Sequence, residues 1–110
     1  MKKKIYLIRH AQSEANAAID LDNPTFYYDA RLTNLGKEQT LKTRKKLANV
    51  DFDLMISSPL TRTLQTFSLV FPLPINNTIV LPLVREHLDH SCDVGRQPEI
   101  LKKEFPHFNL

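Results

Sequence analysis

The sequence predicts an α/β domain, a three-layer α/β/α sandwich, and three observations carry that expectation. Three short apolar runs, "KIYLIR", "FDLMISS" and "TIVLPLV", are separated by segments rich in helix formers. Strands alternating with helices imply parallel crossovers, which lay helices on the faces of a sheet. Each run ends in polar or charged residues, respectively Arg9-His10, Ser57-Ser58 and Arg85-Glu86. In an open parallel sheet such ends share one edge, and ligands bind there. The 110 residues suit one core, with no internal repeat and no Ser/Gly-rich linker to divide them.

In chain order, residues 4–9 form the first strand, an apolar run of the length a buried strand needs. Residues 12–18, "QSEANAA", start a helix with Ser13 as a plausible cap. "DLDNPTFYYDARLT" reads as a loop, broken by Asn23-Pro24. Gly36 precedes a helix reaching about Asn49, whose apolar face is thin and rests on Leu41, Leu47 and Val50. Residues 52–58 form the second strand, and Pro59 suits the first turn of a helix running to about Val70. Residues 78–84 form the third strand, with Pro82 marking an edge or its end. Glu86, the loop "DHSCDVGRQP" and a short helix near 98–104 follow.

Composition narrows the function classes. Hydrophobic residues at 42% and charged residues at 25% are those of a soluble globular protein. The net charge of +3 comes partly from Lys2-Lys3-Lys4 and from "GKEQTLKTRKKL", a solvated helix face rather than a nucleic-acid surface. Cys92 is the single cysteine and cannot form an intrachain disulfide, which fits a reducing, cytoplasmic setting. In "MKKKIYLIRH" the apolar stretch is only "IYLI" before Arg9 interrupts it, too short for a signal-peptide core or a membrane span. No nucleic-acid or membrane partner is expected.

The three polar ends, with Ser57-Ser58 leading on to Arg62, bring together Arg9, Arg62, His10 and Glu86. This set suits a phosphoryl group. Guanidinium forks match phosphate oxygens and stay charged at working pH. A neutral imidazole can attack phosphorus, and a carboxylic acid can protonate the departing oxygen. A helix opening near Gln12 would add backbone N–H groups to the anion site. A zinc reading of His87, Asp89, His90, Cys92 and Asp93 competes, but the spacing matches no common zinc pattern, and no metal is expected.

At this point the segments resemble a known family. "LIRHAQSEAN" resembles the Arg-His-Gly signature of the histidine phosphatase superfamily, the phosphoglycerate mutase-like proteins, with Ala11 where glycine is usual. "YDARLTNLGKEQT" resembles its Leu-Thr-x-x-Gly-x-x-Gln segment, and "MISSPLTRTLQT" its Ser-Ser-Pro-x-x-Arg-x-x-Gln-Thr segment. "LVREHLDHSCDVG" resembles the stretch bearing its acid/base carboxylate. The four segments run in family order from residue 3 to about 95.

The resemblance implies that His10 is the nucleophile that becomes phosphorylated. Arg9 and Arg62 would clamp the phosphoryl oxygens, Asn16 would hydrogen-bond one of them, and Glu86 would serve as acid and then base. No metal or cofactor is implied, because the arginines supply the positive charge. Glu14, Glu38 and Asp89 remain alternatives for the carboxylate, and Ser13 is a possible substrate contact. The implied function is phosphoryl transfer to water from a small phosphate monoester. Phosphoglycerate mutase activity and a non-catalytic phosphate-binding or partner-binding module are the alternatives.

One family feature is missing. The family's second histidine is usually followed by glycine, whereas His10, His87, His90 and His107 are followed by other residues. Residues 1–110 are therefore expected to be a single domain lacking the C-terminal portion of the family fold. In that fold the strand bearing the second histidine lies beside the first strand, so one side of "KIYLIR" is expected to present unpaired backbone and apolar side chains. A fragment of a longer protein, a short form completed by homodimerisation and a degenerate binding member all fit, and a fragment or truncated form fits best. Substrate specificity is expected from the loop at 20–31 and from C-terminal insertions.

Overall fold

The computed structural model describes residues 3–14, 30–71, 78–84 and 98–108. Within them lie strands β1 (Met55–Ser57) and β2 (Thr78–Val80) and helices α1 (Asn34–Leu47), α2 (Thr61–Val70) and α3 (Pro98–Glu104). The strands pair in parallel, with Met55 opposite Thr78, Ile56 opposite Ile79 and Ser57 opposite Val80. Helix α2 lies between them in sequence and packs against β1, as a parallel crossover requires.

β2 is shorter than the expected 78–84. The Leu81 N–H donates to the Ser57 carbonyl at 2.9 Å, and the chain then enters a tight helical turn over Pro82–Val84. Proline has no N–H to extend a ladder, so Pro82 marks the end of the strand.

The first run departs most from expectation, for residues 4–9 form no strand. Apolar content marks a segment for burial, but a strand exists only where a neighbour completes its ladder. Among the described residues none does so, and Ile5 and Leu7 stand 85% and 93% exposed. Tyr6 docks edge-on against Phe52, with ring centroids 5.2 Å apart.

Helix α1 starts at Asn34, ahead of Gly36, because Thr33 caps it: its Oγ1 accepts the Gly36 N–H at 3.0 Å. Arg44, Lys45 and Lys46 occupy its last turn, where the helix dipole favours cations. The buried positions of this helix are Gly36 and Thr40, whereas Leu41 is exposed. Small residues on that face bring α1 close to its neighbours, which long apolar side chains would hold away.

Helix α2 begins at Thr61, two residues later than Pro59 suggested. Leu60, buried and extended, is its N-cap, so Pro59 precedes the cap and does not enter the first turn. Leu64 and Phe67 join Leu101, Phe105 and Phe108 from α3 and the residues after it. Met55 and Val80 of the sheet pack on this cluster, together with Phe71. Phe67 meets Phe71 and Phe108 at centroid distances of 5.1 and 5.3 Å, in the tilted and edge-on arrangements that aromatic quadrupoles prefer. A paired Arg31–Glu104 contact, with Nη2 to Oε2 at 2.8 Å, links the segment before α1 to α3. The described residues thus supply the sheet and a helical layer on one face; Leu54, Ile56 and Ile79 remain exposed.

Leu64 is fully buried at the centre of the cluster. Leu64→Ala is expected to lower unfolding stability by about 2–5 kcal/mol. Thr33→Ala, which removes the α1 cap, is expected to cost about 1 kcal/mol. Urea unfolding followed by circular dichroism checks both, and an unchanged midpoint for Leu64→Ala would contradict the assigned core.

Candidate functional site

The segment before His10 has no sheet ladder to hold it, so the loop from His10 to Ser13 needs other anchors. Helices α1 and α2, with the residues just before α1, provide them. The Ala11 N–H donates to Thr66 Oγ1 at 3.0 Å, and the Gln12 N–H donates to Gln39 Oε1 at 2.9 Å. The Gln12 carbonyl accepts the Thr33 N–H at 3.0 Å, while the Gln12 side-chain oxygen accepts the Thr33 hydroxyl at 2.7 Å. Ser13 forms an isolated antiparallel bridge with Leu32, and the Glu14 N–H donates to the Arg31 carbonyl at 2.8 Å. Gln65 accepts the Leu32 N–H at 2.8 Å, which fixes this partner segment against α2.

Gly36 has a steric role in the same frame. A Cβ at this position would lie 2.2 Å from the Gln12 carbonyl oxygen, far inside contact distance. Leu32, Thr33, Gly36 and Gln39, the residues that define the second motif, therefore all act on the loop that follows His10.

With the loop fixed, the His10 ring has a defined orientation. Its Nδ1 lies 2.7 Å from the Ala11 carbonyl oxygen. A carbonyl can only accept, so Nδ1 carries the proton and the neutral ring keeps its lone pair on Nε2. Arg62 Nε donates to that Nε2 at 3.3 Å. Arg62 occupies the first turn of α2 and is only 2% exposed, so its guanidinium is held away from bulk water. The imidazole lone pair and a buried cation thus face one another, although 52 positions separate them in sequence.

Arg9 is exposed and lines, with His10, Ser57 and Ser58, a cavity of about 650 Å³ between the first segment and β1. The rest of its wall is mainly apolar, including Leu7, Ile56 and Phe67. Ser57 Oγ donates to the Ser58 carbonyl at 3.0 Å. Ser58 Oγ is buried and has no hydrogen-bond partner among the described residues.

The structure therefore brings His10 and Arg62 into contact and puts Arg9 on the same cavity as His10. Ser13 is 1% exposed and belongs to the backbone frame rather than to the cavity wall. Among the alternative carboxylates, Glu14 accepts the Arg31 N–H at 3.3 Å and Glu38 is exposed on α1. Asn16, Glu86 and Asp89 lie outside the described residues, as do His87, His90, Cys92 and Asp93. No group of three metal-ligating side chains occurs among the described residues, and none of their helices is long and apolar enough to cross a membrane. Thr33, Gln39, Gln65 and Thr66 had no role assigned from sequence, although all four lie within the quoted motif segments. Their regular spacing was the available signal: Gln39, Gln65 and Thr66 accept backbone N–H groups from distant segments, and Thr33 caps its helix and donates to the Gln12 side chain.

The chain is similar to known proteins along most of its length. The family model described as histidine phosphatase superfamily (branch 1) matches residues 5–107. A probable phosphatase of Schizosaccharomyces pombe is 28% identical over 97% of this chain and 51% of its own length. Phosphoglycerate mutase-like protein 1 of Arabidopsis thaliana is 42% identical over 94% of this chain and 50% of its own. A crystal structure titled "a putative alpha-ribazole-5'-P phosphatase" from Escherichia coli K-12 MG1655 superposes with a TM-score of 0.61 at 29% identity. It covers 88% of this chain and 47% of the bacterial one. The chain spans about half the length of these relatives.

The contact at Gly36 yields a direct check. Gly36→Ala must displace the Gln12 carbonyl or α1 and is expected to cost about 1–3 kcal/mol. It should also shift the amide resonances of Ala11 and Gln12 in NMR spectra. A variant as stable as the parent with unchanged resonances would show that the close approach is not present in solution.

Proposed function

The chain belongs to branch 1 of the histidine phosphatase superfamily, and from that premise we propose that it transfers a phosphoryl group through phosphorylated His10, in hydrolysis of a small phosphate monoester. The observation that carries this reading is the 3.3 Å contact between Arg62 Nε and His10 Nε2. The nitrogen that must attack phosphorus keeps its lone pair, which accepts from Arg62, and that same cation would hold the phosphoryl oxygens.

In the forward step the Nε2 lone pair forms the P–N bond as the P–O ester bond breaks. The departing oxygen takes its proton from a carboxylic acid, the role that the family motif gives to Glu86. Water then attacks phosphorus, passes its proton to that carboxylate, and returns the P–N electron pair to Nε2 as phosphate leaves. Arg62 and Arg9 neutralise the charge on the equatorial oxygens, and Asn16 donates to one of them. The Nδ1–H bond to the Ala11 carbonyl stabilises the ring as it gains positive character during attack.

Replacement of water by a second phosphate ester acceptor would give a mutase, a reading favoured by the name of the Arabidopsis relative. Cys92 as sole cysteine supports a cytoplasmic setting, and the exposed Ile5, Leu7, Ile56 and Ile79 support pairing of two copies.

Phosphate release from a panel of phosphate esters, with intact-mass measurement of acid-labile label, tests the reading. His10→Ala is expected to abolish both turnover and label, and Arg62→Ala to reduce turnover by about 100-fold. Turnover that survives in His10→Ala would overturn the proposal. Phosphate-dependent stabilisation without any covalent label would instead identify a binding module.

A further inference from the structure

We infer that Thr66 is a positioning residue: its hydroxyl ties the peptide after His10 to the helical turn bearing Arg62 and so sets the spacing of imidazole and guanidinium. The inference rests on the reading of His10 and Arg62 as the reacting pair, and names what holds them in register.

The directions of the bonds are fixed by chemistry. The Arg62 carbonyl can only accept, so Thr66 spends its one hydroxyl proton there, at 2.8 Å. The Thr66 oxygen is then left to accept the Ala11 N–H at 3.0 Å, and an N–H can only donate. A threonine that bonds back to the carbonyl four residues earlier is common in helices. The second bond, to a residue 55 positions away, is what makes a tie of it. Thr66 and Ala11 are 6% and 8% exposed, so water does not compete for either bond.

These contacts close a ring of interactions. The Ala11 carbonyl orients the His10 imidazole through Nδ1, while the Ala11 N–H is anchored on Thr66. Thr66 is anchored on the Arg62 backbone, and the Arg62 side chain returns to His10 Nε2. Removal of the hydroxyl opens this ring at one point, leaving the two functional side chains chemically intact.

Thr66→Val keeps the shape and removes both bonds, whereas Thr66→Ser keeps both. In the full chain, Thr66→Val is expected to move the ring nitrogen resonances of His10 and the Ala11 amide resonance, and Thr66→Ser to leave them near parent values. Turnover should follow, with kcat reduced about 10- to 100-fold in Thr66→Val at little change in KM, and within about threefold of parent in Thr66→Ser. Parent-like ring resonances and kcat in Thr66→Val would overturn the inference. A measurement on the unsubstituted protein serves if Thr66→Val does not fold: the tie requires slow hydrogen exchange at the Ala11 amide, and exchange at the rate of an unfolded chain would overturn it. Failure of the catalytic reading is separately visible as turnover in His10→Ala, while the ring resonances still decide the role of Thr66.

Discussion

The Ala11-Gln12 backbone is the constraint on which the rest of the site depends. Its two N–H groups are received by Thr66 and Gln39, and the Gln12 carbonyl accepts from Thr33. A single such bond contributes only about 1 kcal/mol net, but an unmade bond at a buried amide costs more. The loop is therefore held by several modest contacts, of which the buried bond from Ala11 to Thr66 is the most expensive to lose. Because the run before it has no ladder, helix side chains perform the positioning that a sheet would otherwise share. Gly36 keeps the approach close enough for those side chains to reach.

That frame explains how His10 and a buried arginine meet. Burial of a guanidinium is costly unless its donors are used. The first turn of α2 commits Arg62 to the protein side, and one of its N–H groups is directed at an imidazole lone pair. This contact is the one on which the proposed phosphoryl site rests. A well-packed apolar residue at position 62 would fill the same space without that cost, and in the proposed function the charge holds the phosphoryl oxygens.

The sequence made some of this legible and hid the rest for physical reasons. Helix α3 was readable within its observed bounds, and the parallel pairing of the second and third runs followed from the alternation of elements. His10 and Arg62 were brought together by the shared edge of parallel strands and then by motif order, although 52 positions separate them. The first run was misread because hydrophobicity reports a tendency to bury and says nothing of a neighbouring strand. Helix α1 was misread on its packing face: Leu41 looked like the anchor, but close approach selected Gly36 and Thr40. The glutamines and threonines of the motifs were visible as letters, yet their partners are backbone amides, which a sequence pattern does not display.

The separation between Ala11 and Thr66 also has a temporal meaning. The loop after His10 leaves the ribosome before its anchor, which follows 55 residues later, and the Arg31–Glu104 clasp closes over 73. Contacts of such reach require loop closure before they return any stabilisation, and they slow folding. The orientation of His10 is therefore acquired late: the imidazole gains its fixed setting only after the helix that bears Arg62 and Thr66 has been synthesised and docked.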